Sequence, residues 1–338
     1  MAAKASIVDV AERAGVSVAT VSRALRNHQY VAEATRARVR EAAAALHYVA
    51  DANASRLASG RSNTIGLLAP ILTSWYTSEI IVGVEEVLTD VGLDLLISTR
   101  GLPHERNEFT LASAFRQRVD GVILVDAFVY ESGARELMKA ATPAVALGEK
   151  LDAVPSLCID NQLGGELATR HLLELGHRRI GLMGGPSARD VVSTVPQQRT
   201  AGYAAALASQ RIKVDKSLLV DGGFTIEGGR RSARRLLSTP HPPTAIFCMS
   251  DEMAFGVLQA CRELGISVPG EFSVIGFDDH SVAEAVGLST IQQPVRQMGN
   301  LAARLMADVL AGHDPVSSYH PQAITLIQRW STGPPRRS

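Results

Sequence analysis

Cysteine is scarce in this chain of 338 residues, with three in all, Cys158, Cys248 and Cys261. The count is odd, and each thiol lies in an apolar run such as SLCID or AIFCMS. No pair has metal-knuckle or redox spacing, so a disulfide framework is excluded and buried free thiols are expected. No apolar run approaches the roughly 18 residues that a membrane helix requires. The opening MAAKASIVDVAERAG is a mixed-charge amphipathic pattern without the hydrophobic stretch of a signal peptide, so a cytoplasmic location and no membrane partner are expected. Net charge is also lacking, with 34 Lys and Arg against 34 Asp and Glu. Catalytic signatures are missing too: there is no P-loop, no G-x-G-x-x-G and no H-E-x-x-H, and HERNE (104–108) ends in Glu and reads as a polar helix start. Nothing argues for catalysis, and no enzyme activity, cofactor or metal is expected.

What the chain does have is ordinary globular composition, 46% hydrophobic and 20% charged, which excludes disorder, collagen and coiled coil. Its length suggests two or three domains. The charge is unevenly placed. Residues 1–62 hold nine Lys or Arg against five Asp or Glu, a basic head on an acidic remainder, as expected where only the head meets a polyanion.

Residues 6–50 read as helices alone, with apolar spacing at Ile7, Val10, Ala11 and Ala14, then Val39, Ala42, Ala43 and Leu46. From residue 64 short apolar runs alternate with amphipathic stretches. The runs are 64–69, 93–98, 121–125, 143–147, 179–183, 244–249 and 273–277. Helix-patterned segments include Ser78–Val91, Asn161–Gly176, Gln198–Gln210, Glu252–Leu264 and Val295–Leu310. Such alternation implies parallel sheets covered on both faces, and two sheets rather than one, since about 270 residues exceed a usual single core. Between head and body, DANASRLASGRSN (51–63) reads as a linker.

The segment DVAERAGVSVATVSRAL (9–25) carries the densest signal. Gly15 allows the positive φ of a sharp helix end, and Ser17 is placed to cap a second helix. Ala11 is small enough for close crossing, and Val21 supplies the apolar plug. That arrangement is a helix-turn-helix, whose second helix enters the major groove by its N-terminal end. Val18, Ala19 and Arg23 then face base edges, Arg23 being able to grip a guanine bidentately. Ser17, Thr20, Ser22 and the backbone near Asn27 and Tyr30 face phosphates. A helical hairpin that binds no nucleic acid is the competing reading. GVSVA superficially resembles a nucleophile elbow but lacks the preceding strand that the elbow needs.

On these residues the chain resembles the lactose-repressor (LacI/GalR) family of bacterial transcription regulators over nearly its whole length. After the 9–25 signature come VAEATRARVREAAAALHYVADANASRLASG, then HLLELGHRRIGLMGGP, RTAGYAAAL and SVIGFDD in family order. The resemblance implies an all-α head (1–50), a hinge (51–62) and an α/β body (63–338). The body would hold two periplasmic-binding-protein-like (type I) subdomains with parallel sheets, about 63–160 plus 294–320 and about 161–293 plus 321–333. Residues 53–60 are too few for an isolated helix. The resemblance implies that two such hinges fold together in the minor groove, with Leu57 as a wedge between base steps, Ala54 and Ala58 allowing close pairing, and Arg56 near phosphate.

The resemblance further implies a small molecule held between the subdomains, at the carboxyl ends of the strands. Those ends offer Trp75 and Tyr76, Phe128, Ser193 and Arg199, Ser250 and Asp251, and Asp278. Arg199 falls on the family's effector-binding arginine and Asp278 on the aspartate that accepts from ligand hydroxyls. A guanidinium and a carboxylate facing aromatic rings suit a polyhydroxyl ligand, most readily a sugar. Ser250 and Gly148 depart from the family's common Asn and Asp, which leaves the sugar's identity open. The expectation is a homodimeric repressor on a pseudo-palindromic double-stranded operator, released by its effector. Action with a co-repressor is the near alternative, and a solute-binding protein or an enzyme using the cleft are the distant ones. With no apolar heptads in STGPPRRS (331–338), a dimer is expected rather than a coiled-coil tetramer.

Overall fold

The computed structural model describes residues 5–25, 30–48, 62–69, 71–99, 115, 118–126, 142–152, 154–185, 194–313 and 319–336. The chain divides into two compact units, Met1–Ser62 and Asn63–Ser338.

In the first unit, α1 (Ile7–Ala14) starts where Ser6 and Asp9 cap each other's backbone. The Ser6 hydroxyl accepts from the Asp9 amide at 3.3 Å, and the Asp9 carboxylate accepts from the Ser6 amide at 2.7 Å. This reciprocal capping satisfies two amides that a helix start otherwise leaves open. The helix stops at Gly15, whose φ of +63° is left-handed, a conformation that glycine adopts without steric cost. Ser17 then caps α2 (Val18–Leu25), its hydroxyl accepting from the Thr20 amide at 3.2 Å. With α3 (Glu33–Ala45), these helices enclose a small core built on Val10, Ala11, Val21, Ala24 and Val39.

The second unit holds two six-stranded sheets. The first orders its strands β11-β5-β4-β3-β1-β2, from Tyr319–Gln322, Ser156–Ile159, Ala144–Leu147, Gly121–Val125, Thr64–Ala69 and Asp94–Thr99. The second orders them β12-β10-β9-β8-β6-β7, from Thr325–Ile327, Ser289–Gln292, Ser273–Asp278, Ala245–Cys248, Ile180–Gly184 and Leu219–Asp221. Only the β10–β12 pairing among these is antiparallel. Central strands such as β3 are buried along their whole length, because helices cover both faces of a parallel sheet.

The chain passes between the two lobes three times. It leaves the first sheet after β5 for α5 (Asn161–Glu174), α6 (Val195–Ser209), α7 (Ile226–Leu237) and α8 (Asp251–Leu264) of the second lobe. It returns after β10 into α9 (Val295–Leu310), which packs on α4 (Trp75–Asp90) of the first lobe. It crosses again between β11 and β12. The three cysteines are free and buried, and burial pushes the Cys158 thiol up to about 11 and that of Cys261 up to about 12.

Two departures from the sequence reading matter for the site. Helix α4 begins at Trp75, three residues before the expected Ser78, because Ser74 caps it, accepting from the Thr77 amide at 3.2 Å. Trp75 and Tyr76 therefore ride on a helix rather than a loop. Strands β5, β7, β10, β11 and β12 were not expected; each is three or four residues long, too short to show a pattern of its own.

Candidate functional site

The short helix α2 presents one face outward. Val18 is 41% exposed, and Ala19, Arg23 and Ser17 are exposed beside it, while Thr20 and Ser22 are half-buried. On the opposite face Val21 and Ala24 are buried in the three-helix core. The core thus holds α2 rigidly while its polar and small residues stay free for a groove. Tyr30 is exposed just before α3. Asn27, and the hinge residues Ala54, Arg56, Leu57 and Ala58, lie outside the described residues.

The second unit contains a cavity of about 480 Å³ at the carboxyl ends of the strands of both sheets. Four of the expected residues line it: Tyr76, Arg199, Ser250 and Asp278. Phe128 and Ser193 lie outside the described residues. Trp75 and Asp251 are not among the lining side chains. Trp75 instead stacks on His280, with ring centroids 4.8 Å apart, and its buried indole N–H has no partner among the described residues. Asp251 is fully buried and accepts from the Thr290 hydroxyl at 2.7 Å and the His280 amide at 2.8 Å. It therefore supports the His280 loop from beneath rather than facing the cavity. Both residues stand at a strand end as expected, but a strand end does not fix the direction in which a side chain leaves it.

Arg199 is the only basic side chain of the lining among the described residues. Its Nε donates to Asn161 Oδ1 at 2.9 Å, its Nη1 donates to the Met249 carbonyl, and its guanidinium carbon lies 3.6 Å from the centre of the Phe277 ring. Burial lowers its proton affinity and the Asp278 carboxylate raises it; an arginine remains charged under that balance. Asp278 accepts from Gln293 Nε2 at 2.6 Å. Burial pushes its carboxyl up, and the Arg199 charge opposes this.

Several lining residues were not expected. Asp126 follows β3 and receives the Tyr76 hydroxyl at 3.4 Å. Burial first, and then the Glu149 charge, push its carboxyl up to about 7, against the pull of Arg199. The same burial and the Asp126 charge raise the Tyr76 phenol. Asp126 stands one residue past an evident strand, so the strand-end rule could have found it. Asn161 and Gln293 follow β5 and β10, strands too short to be read, and Glu252 is the second residue of α8. Ile71, Val195, Phe224, Ile226 and Met298 supply an apolar wall. Hydrogen-bonding groups together with apolar side chains suit a ligand with hydroxyl edges and a C–H face. Among the described residues no group of three or more His, Cys, Asp or Glu side chains is placed to hold a metal.

Comparison with known proteins agrees with this division. Residues 6–51 match the model for bacterial regulatory proteins of the lacI family, and residues 169–332 match the periplasmic binding protein-like domain. The HTH-type transcriptional repressor PurR of Shigella dysenteriae serotype 1 (strain Sd197) is 36% identical over 337 residues, covering 97% of this chain and 96% of the relative. The crystal structure of the lac repressor dimer bound to operator and the anti-inducer ONPF superposes with a TM-score of 0.84 at 27% identity, covering 98% of this chain and 100% of that one. The complex of transcriptional regulator CelR with cellobiose gives a TM-score of 0.69 at 31% identity, covering 97% and 99%.

Proposed function

The chain belongs to the lacI family of bacterial regulatory proteins, and from that membership we propose how this repressor works. Two copies seat one helix pair each on a pseudo-palindromic duplex, and an uncharged polyhydroxyl molecule in the cavity releases them. The observation that carries the reading is the presence, on one chain, of an exposed α2 face and a cavity between the lobes in which the Arg199 charge opposes that of Asp278. The working units of this reading are the head (1–50), the hinge (51–62) and the body (63–338), the body being divided into lobes at about residues 160, 293 and 320.

Val18 and Ala19 offer apolar contact to thymine methyls, and Arg23 offers a bidentate grip on guanine. Ser17, Thr20 and Ser22, with Asn27 and Tyr30, hold phosphates and set register. The lac repressor neighbour is a dimer on its operator; a homodimer of this chain would space its two half-sites by about one helical turn. Leu57 acts as the minor-groove wedge in this reading. Among the described residues the lining carries Asp126, Glu252 and Asp278 against Arg199, a set of carboxyl groups that suits the hydroxyls of a neutral sugar such as the cellobiose in the CelR complex. Ligand closure that turns the lobes and parts the hinges needs a coupling of only about 1–3 kcal/mol.

The test is a fluorescence anisotropy titration of the full-length protein against selected and random duplexes at moderate salt, repeated with cellobiose and other neutral sugars found by thermal shift. Preference for one duplex, lost on adding a sugar hit, is the expected result. Equal affinity for selected and random duplexes would sink the reading, and tighter DNA binding with sugar would reverse its sign to co-repression.

A further inference from the structure

Two side chains of the first lobe reach the second across the mouth of the cavity. Trp75, at the start of α4, stacks on His280 beyond β9. The other is Glu149, two residues past β4 and buried. Its Oε1 accepts from the Thr194 amide at 2.6 Å and from the Val195 amide at 3.3 Å, and its Oε2 accepts from the Thr194 hydroxyl at 2.7 Å. Thr194 and Val195 open α6, a helix of the second lobe.

Among the described helices α3 and α9 start at Ala32 and Pro294, which carry no capping group, whereas α6 starts at a threonine whose hydroxyl does not cap it. Ser6, Ser74, Asp160, Thr225 and Ser250 each cap their own helix with their own side chain. Thr194 makes no such bond, having already the helical dihedrals φ −86° and ψ −8°, which turn its hydroxyl away from the amides ahead. The open amides of a helix start need an acceptor, and the positive end of the helix favours a carboxylate there. Glu149 meets both needs from the other lobe. Arg199 lies one turn further along the same helix, on the face toward the cavity.

We infer that Glu149 latches the start of α6 to the first lobe, so that closing the cleft and capping this helix are one event. When the lobes part, α6 loses that cap, while Arg199 stays held by Asn161, Met249 and Phe277 of its own lobe. The latch gives the cavity a reason to report its state to the first lobe, and it rests on the reading of the cavity as the effector site.

Its test needs no ligand, so its failure is separable from failure of the effector reading. In a full-length Trp330→Phe background Trp75 is the sole tryptophan, and its contact with His280 makes its emission a gauge of closure. Glu149→Ala should shift that emission to the red and raise its acrylamide quenching constant at least twofold. Thr194→Val, which removes one of the three bonds, should give a smaller change in the same direction. If both variants leave emission and quenching as in the parent and merely lower the melting temperature, Glu149 is a cap and not a latch, and the inference is overturned. Should Glu149→Ala not fold, Glu149→Leu is read by the same criterion, since it fills similar space but offers the amides no acceptor.

Discussion

Gly148 and Asp126 compete for one space: a Cβ at position 148 would lie 2.1 Å from Asp126 Oδ1 and 3.1 Å from the Tyr76 hydroxyl. Gly148 also has a φ of +90°. The position at which the family often carries a carboxylate is thus bare here, and Asp126 of the neighbouring strand end fills the room. Gly148→Ala should force the Asp126 carboxylate aside and lower stability by about 1–3 kcal/mol, the usual cost of a side chain in strained backbone with a contact to relieve. Denaturant melts of the single variants and of Gly148→Ala with Asp126→Ala check the mechanism. The pair should cost less than the sum of its parts, because the second change removes the group that the first collides with.

The raised pKa of Asp126 makes stability depend on pH. Between its ordinary value of 3.8 and its folded value of about 7, the folded protein keeps a proton that the unfolded chain has lost. Stability therefore falls as pH rises through that window and levels off above it. Asp126→Asn abolishes this loss. The variant should match the parent near pH 4 and melt higher at pH 8, by an amount on the order of a few kcal/mol, since each tenfold change in proton affinity is worth about 1.4 kcal/mol. Parent and variant share His171, His177 and His280, whose proton affinities are lowered by burial, so the opposite pH trend of these groups cancels in the comparison. Calorimetric scans at both pH values decide it.

Arg199 is built into the protein as well as turned toward the cavity. Its bonds to Asn161 and Met249, its stacking on Phe277 and its charge beside Asp278 all predate any ligand. Arg199→Ala should lower stability by about 3–5 kcal/mol, as removal of one partner leaves a buried carboxylate uncompensated. Adding Asp278→Asn should recover part of that loss. Denaturant titration of the two variants checks this, and any loss of ligand affinity in Arg199→Ala should be read against the stability measured alongside it.

In the head, Ser17→Ala should cost about 1 kcal/mol of stability through loss of the α2 cap. Arg23→Ala should flatten discrimination at one base pair by about 1–3 kcal/mol while leaving the salt dependence of binding nearly unchanged, as expected of a base contact rather than a phosphate contact. Anisotropy titrations over a range of salt separate the two effects.

The helix pair of the head was legible because its determinants, Ala11 to Val21, are contiguous and local: a small crossing residue, a left-handed glycine, a cap and a plug. The longer strands were legible for the same reason, five or six apolar residues in a row such as TIGLLA and GVILV. The cavity was legible in part. Tyr76, Arg199, Ser250 and Asp278 line it, whereas Trp75 and Asp251 turn away, because one residue's step along a helix start rotates a side chain by about 100°. Glu149 was invisible in the sequence, since its partner lies 45 residues on and in the other lobe.

The threading of the chain through both lobes has a consequence for how the protein is made. Strand β5, complete by Ile159, pairs with β11 at Tyr319–Gln322, and β10 pairs with β12 at Thr325–Ile327. Neither sheet gains its last strand until residues 319–327 have left the ribosome. Until then the edges at β5 and β10 stay open, and such edges invite wrong partners. Deleting residues 319–327 should therefore harm both lobes together rather than trim one of them.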